Sequence, residues 1–165
     1  MADSGITKRA LAASFKELMR EKPFLKIGIA EICAGCDMNR KSFYYHFKDK
    51  YALVNWIFDT ETGLLFRSCD DRAEDCLAEL CAYLWQNRDF YRKALRVEGQ
   101  NSFVSHFRDN CVRELVVEIS RSYSSAFCTD FLTDAAVCAV KRWLSEKDPV
   151  HHTDFFKKLC PLLCR

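Results

Sequence analysis

Apolar residues recur at intervals close to 3.6 along nearly the whole of this chain, from Ile6 to Leu163, and nowhere settle into the alternation of a half-buried strand. That period restricts the fold to packed helices. In "ITKRALAASFKELMRE" it sets Ile6, Ala10, Leu11, Phe15, Leu18 and Met19 on one face, with Thr7 a candidate N-cap and "KPF" a stop. "IGIAEICAG" is a second, short helix with Ile29, Ile32 and Cys33 inward. "NRKSFYYHF" is a third, opened by Asn39 as N-cap, with Phe43 and Phe47 on one side. Asp49 caps a fourth, whose stripe of Leu53, Ile57 and Leu64 is widened by Val54, Trp56 and Phe58. Five more segments of the same period follow, "AEDCLAELCAYLWQN", "RDFYRKALRVEG", "SFVSHFRDNCVRELVVEISRSY", "DFLTDAAVCAVKRWLSE" and "DFFKKLCPLLCR", set apart by Asp, Asn, Gly, Ser or Pro. With five glycines and three prolines in 165 residues, little stands in the way of continuous helix. The expected class is all-α: a three-helix head over residues 1–50 and a helical bundle over residues 51–165.

Charge and targeting signals narrow the function. Residues 1–51 hold ten Lys/Arg against six Asp/Glu, a balance of +4, while the remainder carries −2. A basic head on a mildly acidic body fits a nucleic-acid-binding end. No apolar run approaches the ~18 residues of a membrane span and the start has no signal-peptide character, so a cytoplasmic protein without a membrane partner is expected. Gly-rich phosphate loops, nucleophile motifs and framed carboxylate pairs are all missing, so no enzyme is expected; Asp70 and Asp71 read as caps or solvated charge.

The segment "IAEICAGCDMNRKSFYYHFKDKYALV" combines two short helices joined by a tight turn with a basic second helix. It resembles the DNA-binding signature of the TetR family of bacterial transcription regulators, where a helix-turn-helix precedes a tyrosine-x-histidine-phenylalanine run, here Tyr44, His46 and Phe47, and a lysine, here Lys50. The resemblance covers roughly residues 6 to 55. It implies a homodimer on a palindromic DNA operator, controlled by a small-molecule or protein effector, with no cofactor. Asn39, Arg40, Lys41 and Ser42 open the third helix, where side chains reach base edges or phosphates. Tyr44, Tyr45, His46 and Lys50 suit phosphate contacts, and for Tyr45 and His46 the competing reading packs them between helices or leaves them solvated. The family usually places glycine where this chain has Asp37, with Gly35 two residues earlier, so the turn is expected at Asp37 or shifted by one.

The resemblance also implies a pocket and a dimer face in the body. Phe90, Tyr91, Phe103, Phe107, Tyr123 and Phe127 are candidates to line an apolar pocket, plain core being the alternative. Ala135, Ala136 and Ala139 permit close helix approach, and Trp143, Phe155 and Phe156 are candidate anchors of a dimer interface. "YRKALRVEGQNSFVSHF" resembles regulators of dihydroxyacetone kinase operons, a subgroup in which an activator works with a kinase-like partner protein. A different reading takes Cys33 and Cys36 as a thiol or metal sensor, and a third takes the chain as an interaction module without DNA binding. Ten cysteines without an export signal read mostly as reduced core residues. No metal site is expected, and His151, His152, Cys160 and Cys164 read as a solvated tail or dimer face.

Overall fold

The computed structural model describes residues 4–66, 72–99, 101–120 and 125–164. Among them the regular structure is helical, with no strand. The head comprises α1 (Ser4–Glu21), a 3-10 turn (Phe24–Lys26), α2 (Ile29–Ala34) and α3 (Arg40–His46). α4 (Lys50–Phe66) leads into the body: α5 (Ala73–Gln86), α6 (Arg88–Ala94), α7 (Phe103–Phe107), α8 (Arg113–Ile119), α9 (Ala126–Ser145) and α10 (His152–Leu163). Asp70, Asp71 and Tyr123 lie outside the described residues.

The head closes around Leu11, Phe15, Met19, Phe24, Ile27, Ile32 and Phe43, each 3% exposed or less. α1 begins earlier than its sequence suggested: Thr7 is a buried residue inside the helix, not its cap, and Ile6 faces outward at 58% exposure. Periodicity locates a stripe, but the last turn of a helix can overhang the core it serves. Leu64 near the end of α4 overhangs in the same way, at 66% exposed.

The turn between α2 and α3 keeps its left-handed residue at Asp37, with φ +54°. Met38 N–H donates to Cys33 O at 2.9 Å and Asp37 N–H to Ala34 O at 3.5 Å, the paired bonds of a Schellman motif with Asp37 in the position glycine usually fills. Gly35 serves a different need. Its own φ is −68°, but a Cβ there would come within 2.3 Å of Ser14 Oγ, which donates to Ile32 O at 2.7 Å and joins α1 to α2. Conformation is therefore demanded at position 37, and space at position 35.

In the body, α7 runs through a π-helical turn (Arg108–Val112) into α8, interrupting what the sequence reads as a single helix. The wider turn points Cys111 and Val112 into the core and leaves Arg108 beside α9, its Nε 2.5 Å from Asp134 Oδ1. α10 packs mainly along α5, with Leu159 and Leu163 meeting Leu77, Leu80 and Leu84. We expect Asp37→Gly to raise stability by about 1 kcal/mol by removing left-handed strain. Gly35→Ala should lower it by about 1–3 kcal/mol through overpacking against Ser14. Urea unfolding followed by helical circular dichroism measures both, and equal effects at the two positions would contradict this division of roles.

Candidate nucleic-acid interface

α3 presents one face inward and one outward, and the division follows from its sequence. Phe43 and Phe47, four residues apart, are 0% and 5% exposed with ring centroids 5.8 Å apart. Arg40 and Lys41 are exposed, Tyr44 is 53% exposed and Tyr45 83%. Asn39 caps the helix as expected: its Oδ1 accepts from Ser42 N–H at 2.9 Å and Ser42 Oγ–H at 3.2 Å. Both polar side chains are thereby engaged with each other, whereas Arg40 and Lys41 have no hydrogen-bond or ion-pair partner among the described residues.

The aromatic edge is graded. Tyr44 stands edge-on to Phe43 at 5.7 Å and carries its hydroxyl outward. Tyr45 is solvent-facing rather than packed between helices. His46 is half-buried, its ring 4.9 Å from that of Tyr45 and 6.5 Å from that of Phe47. Lys26 and Lys48 are two further exposed cations of the head that motif reading passed over. Only the basic excess of residues 1–51 pointed to them. At the start of α2 the free donor is already satisfied, since Glu31 Oε2 accepts from Gly28 N–H at 3.0 Å. The Lys22 ammonium, bonded to Glu31, holds that carboxyl below its ordinary range, with the Gly28 bond acting in the same direction.

Lys50 differs from its expected place on a phosphate. Its Nζ donates to Ile27 O at 2.8 Å, Phe24 O at 2.9 Å and Leu25 O at 3.3 Å, and lies 4.8 Å from the centre of the Phe24 ring. An ammonium has three hydrogens, and all three are committed to carbonyls of the 3-10 turn and of Ile27 just after it. Burial pushes its pKa below the usual lysine value. Lys50 thus fastens the start of α4 to the entry of α2, while Asp49 caps α4 by accepting from Ala52 N–H at 2.8 Å.

Cys33 is buried and Cys36 partly so, its Sγ donating to Ile32 O at 3.4 Å. Burial raises the pKa of both thiols, which keeps them as packed thiols rather than thiolates at neutral pH. Among the described residues no group of three or more His, Cys, Asp and Glu is placed to hold a metal ion.

The proposed pocket aromatics do not surround a void. Tyr91, Phe103 and Phe107 pack directly on Phe58, with ring centroids 5.8, 5.3 and 5.6 Å away, and the space left beside Phe107 is about 10 Å³. Phe90 points to Phe15 of α1, 6.0 Å away, and Phe127 is 77% exposed. A larger concavity, about 450 Å³, opens between α4, α5 and the α7–α8 segment, with Phe58, Thr62, Cys76 and Leu115 along it and Asp59 and Glu118 also lining it.

The expected dimer residues also divide. Trp143 is 2% exposed within its own chain, stacked on Phe155 at 4.2 Å and on Trp85 at 5.8 Å, and donates from Nε1 to Val150 O at 2.8 Å. Ala136 and Phe155 are likewise buried, so these three are core rather than interface; Ala139 and Phe156 are partly covered and Ala135 is exposed. The outward apolar stripe of α9 runs instead through Phe127, Phe131, Ala135 and Cys138.

Residues 71–163 match the family model described as "Transcriptional regulator C-terminal region", of the TetR type, and residues 11–57 match "Bacterial regulatory proteins, tetR family". The chain belongs to the TetR family. The family models and relatives it matches are those of transcriptional regulators rather than enzymes. It is 29% identical over 100 residues to the HTH-type dhaKLM operon transcriptional activator DhaS of Lactococcus lactis subsp. lactis, a match covering 59% of this chain. That match spans about half, 54%, of the relative's length. Among solved structures, the dihydroxyacetone kinase operon activator DhaS superposes with TM-score 0.71 at 20% identity, covering 96% of this chain and 94% of that one. A TetR transcriptional regulator from Streptococcus agalactiae gives 0.71 at 20%, covering 98% and 96%. NalD, the secondary repressor of the MexAB-OprM multidrug efflux pump in Pseudomonas aeruginosa, gives 0.66 at 16% with the same coverage. Identities this low establish a shared fold, here the helix-turn-helix head on a helical body.

Lys50→Met tests the assignment of that lysine. Leaving the partly buried carbonyls of Phe24 and Ile27 without their donor should lower stability by about 1–3 kcal/mol in urea. An unchanged unfolding midpoint would return Lys50 to a purely DNA-facing role.

Proposed function

We propose that the protein is a homodimeric, sequence-specific DNA-binding regulator that sets two copies of α3 into successive major grooves of a palindromic operator. The observation that carries this reading is the outward face of α3, where Arg40 and Lys41 have no partner among the described residues and Tyr44 and Tyr45 are exposed while Phe43 and Phe47 anchor the helix beneath them. Arg40 and Lys41 read base edges. Tyr44, Tyr45 and His46 meet phosphates, as does Lys48, and Asn39 with Ser42 holds the first turn in place. Residues 1–50 act as the reading head and residues 51–165 as the regulatory body, in the cytoplasm. In the described residues no helix is long and apolar enough to cross a membrane.

Dimerisation falls to the outer face of α9. Phe127 and Phe131 lie exposed with their rings stacked at 6.4 Å, and Ala135 and Cys138 continue the stripe. Two such faces related by a two-fold axis bury a continuous apolar surface and set the half-sites about one helical turn apart. An effector, small molecule or protein, engages the 450 Å³ concavity beside α4, whose far end carries the head. The similarity to a named operon activator supports activation over repression.

Selection of bound duplexes from a random pool tests the whole reading: a palindromic consensus is expected, with binding that weakens steeply with salt. Recovery of no consensus, or of a non-palindromic one, would overturn it. Arg40→Ala or Lys41→Ala should cost about 1–3 kcal/mol of binding and relax one base position per half-site. Tyr44→Phe should weaken all sequences alike. Phe131→Glu should convert the dimer to a monomer in sedimentation without loss of helicity, and persistence of the dimer would place the interface elsewhere.

A further inference from the structure

The thiol chemistry that sequence spacing suggests for Cys33 and Cys36 finds its geometry at the other end of the chain. Cys160 and Cys164 stand four residues apart at the end of α10, and their Sγ atoms are 3.6 Å from each other. Cys164 is exposed and Cys160 partly so, so the pair is open to solvent. On the helix circumference both lie roughly opposite Lys158 and Leu162, which line the groove between α10 and α9, so the pair is turned away from that side.

The spacing favours one kind of thiol chemistry over another. A disulfide needs Cβ atoms about 3.5–4.5 Å apart. Residues four apart on a helix hold theirs at about 5–6 Å. Closing the bond would require the last turn to unwind. A soft centre that binds two sulfurs through bonds of about 2.3 Å, at angles from the roughly 95° of a pyramidal trivalent centre to the tetrahedral value, sets them roughly 3.4–3.8 Å apart, a range that includes the distance already present. The number of donors then selects the class of ligand. A structural zinc ion takes four protein ligands, and no third His, Cys, Asp or Glu completes such a group here among the described residues. His151 and His152 sit at the opposite end of α10. A monosubstituted trivalent arsenical needs two thiols and no more.

We propose that Cys160 and Cys164 form a two-thiol site for monosubstituted trivalent arsenicals, independent of the DNA-reading head. The condensation is redox-neutral. In R–As(OH)2 two As–O bonds break and two As–S bonds form, each thiol proton leaves with a hydroxide as water, and arsenic stays trivalent. Burial foremost, then the hydrogen bond and charge of Cys164 and the charge of Glu74, push the Cys160 thiol up to about 12. Such a thiol is slow in disulfide exchange, which needs the thiolate, whereas the condensation releases its proton as water.

The probe is phenylarsine oxide, which hydrates to this acid, added to the reduced full-length protein and read by intact mass. We expect one adduct per chain, formed with loss of two waters from the hydrated reagent, that survives a wash with excess monothiol and is released by 2,3-dimercaptopropanol. Cys160→Ser and Cys164→Ser should each reduce the monothiol-resistant adduct at least tenfold, and the paired Cys33→Ser, Cys36→Ser variant should retain it. Cys164 is exposed at the helix end, and unchanged helicity of Cys164→Ser would assign the loss to chemistry rather than folding. No resistant adduct on the wild-type protein, an adduct undiminished in Cys164→Ser, or one lost only with Cys33 and Cys36 would overturn the proposal.

Discussion

One broad face of α4 packs against both the head and the body, and the placement of everything else follows from that. Leu53, Val54, Ile57 and Phe58 occupy four of six consecutive positions and are each 2% exposed or less. At about 100° per residue these four span an arc of about 140°, a single broad stripe, and Trp56 lies partly covered beside it. Trp56 meets Phe47 of the head at 5.7 Å, while Phe58 meets Tyr83, Tyr91, Phe103 and Phe107 of the body. The two cores are continuous through this helix, and Lys50 at its first residue secures it to the turn before α2. Close packing does not deform smoothly, so the proposed effector site beside Phe58 and Thr62 would act on the head through a rigid shift of α4.

A polar chain reinforces the same seam. Lys16 of α1 bonds Glu61 of α4, Tyr83 Oη–H of α5 donates to Glu61 Oε2 at 2.5 Å, and the hydroxyls of Tyr83 and Tyr91 lie 2.5 Å apart. Burial raises both tyrosine pKa values, so the hydroxyls stay neutral donors. Lys93 of α6 caps the end of α1, donating to Arg20 O at 3.1 Å and also to Met19 O. Buried polar groups are costly when unpaired and fix a single geometry when satisfied. The network therefore adds directional constraint to α1, α4, α5 and α6, where apolar packing alone would permit sliding.

Local features were the most legible in the sequence. Asn39 and Asp49 cap the helices predicted for them because a cap is decided by residues within one turn. Asp37 takes the left-handed position for the same reason, the Schellman bonds spanning only Cys33 to Met38. The errors came where a residue's partner lies far along the chain. Trp143 and Phe131 both sit on apolar stripes of α9, and nothing local tells which stripe meets α5 and α10 and which meets solvent. Tyr91, Phe103 and Phe107 suit a pocket wall and a packed core equally in composition. Phe58 decides between them by filling the space. The carbonyl partners of Lys50 were not legible for the same reason, all three being more than twenty residues away.

The division within α3 limits what one head can distinguish. Of the four polar residues that open it, Asn39 and Ser42 spend hydrogen-bonding capacity on each other to start the helix, leaving Arg40 and Lys41 as the long, free donors. Bidentate contact by such a side chain discriminates against a wrong base by about 1–3 kcal/mol. Two readers therefore separate one site from its competitors by about 2–6 kcal/mol, which reaches only the lower part of the ~4–10 kcal/mol by which specific sites usually exceed non-specific DNA. A second copy of the same pair doubles the margin and carries it across that range. In the proposed dimer, the apolar stripe through Phe127 and Phe131 on α9 and the short basic opening of α3 act together: a small reading surface is sufficient if the body supplies the means to use it twice.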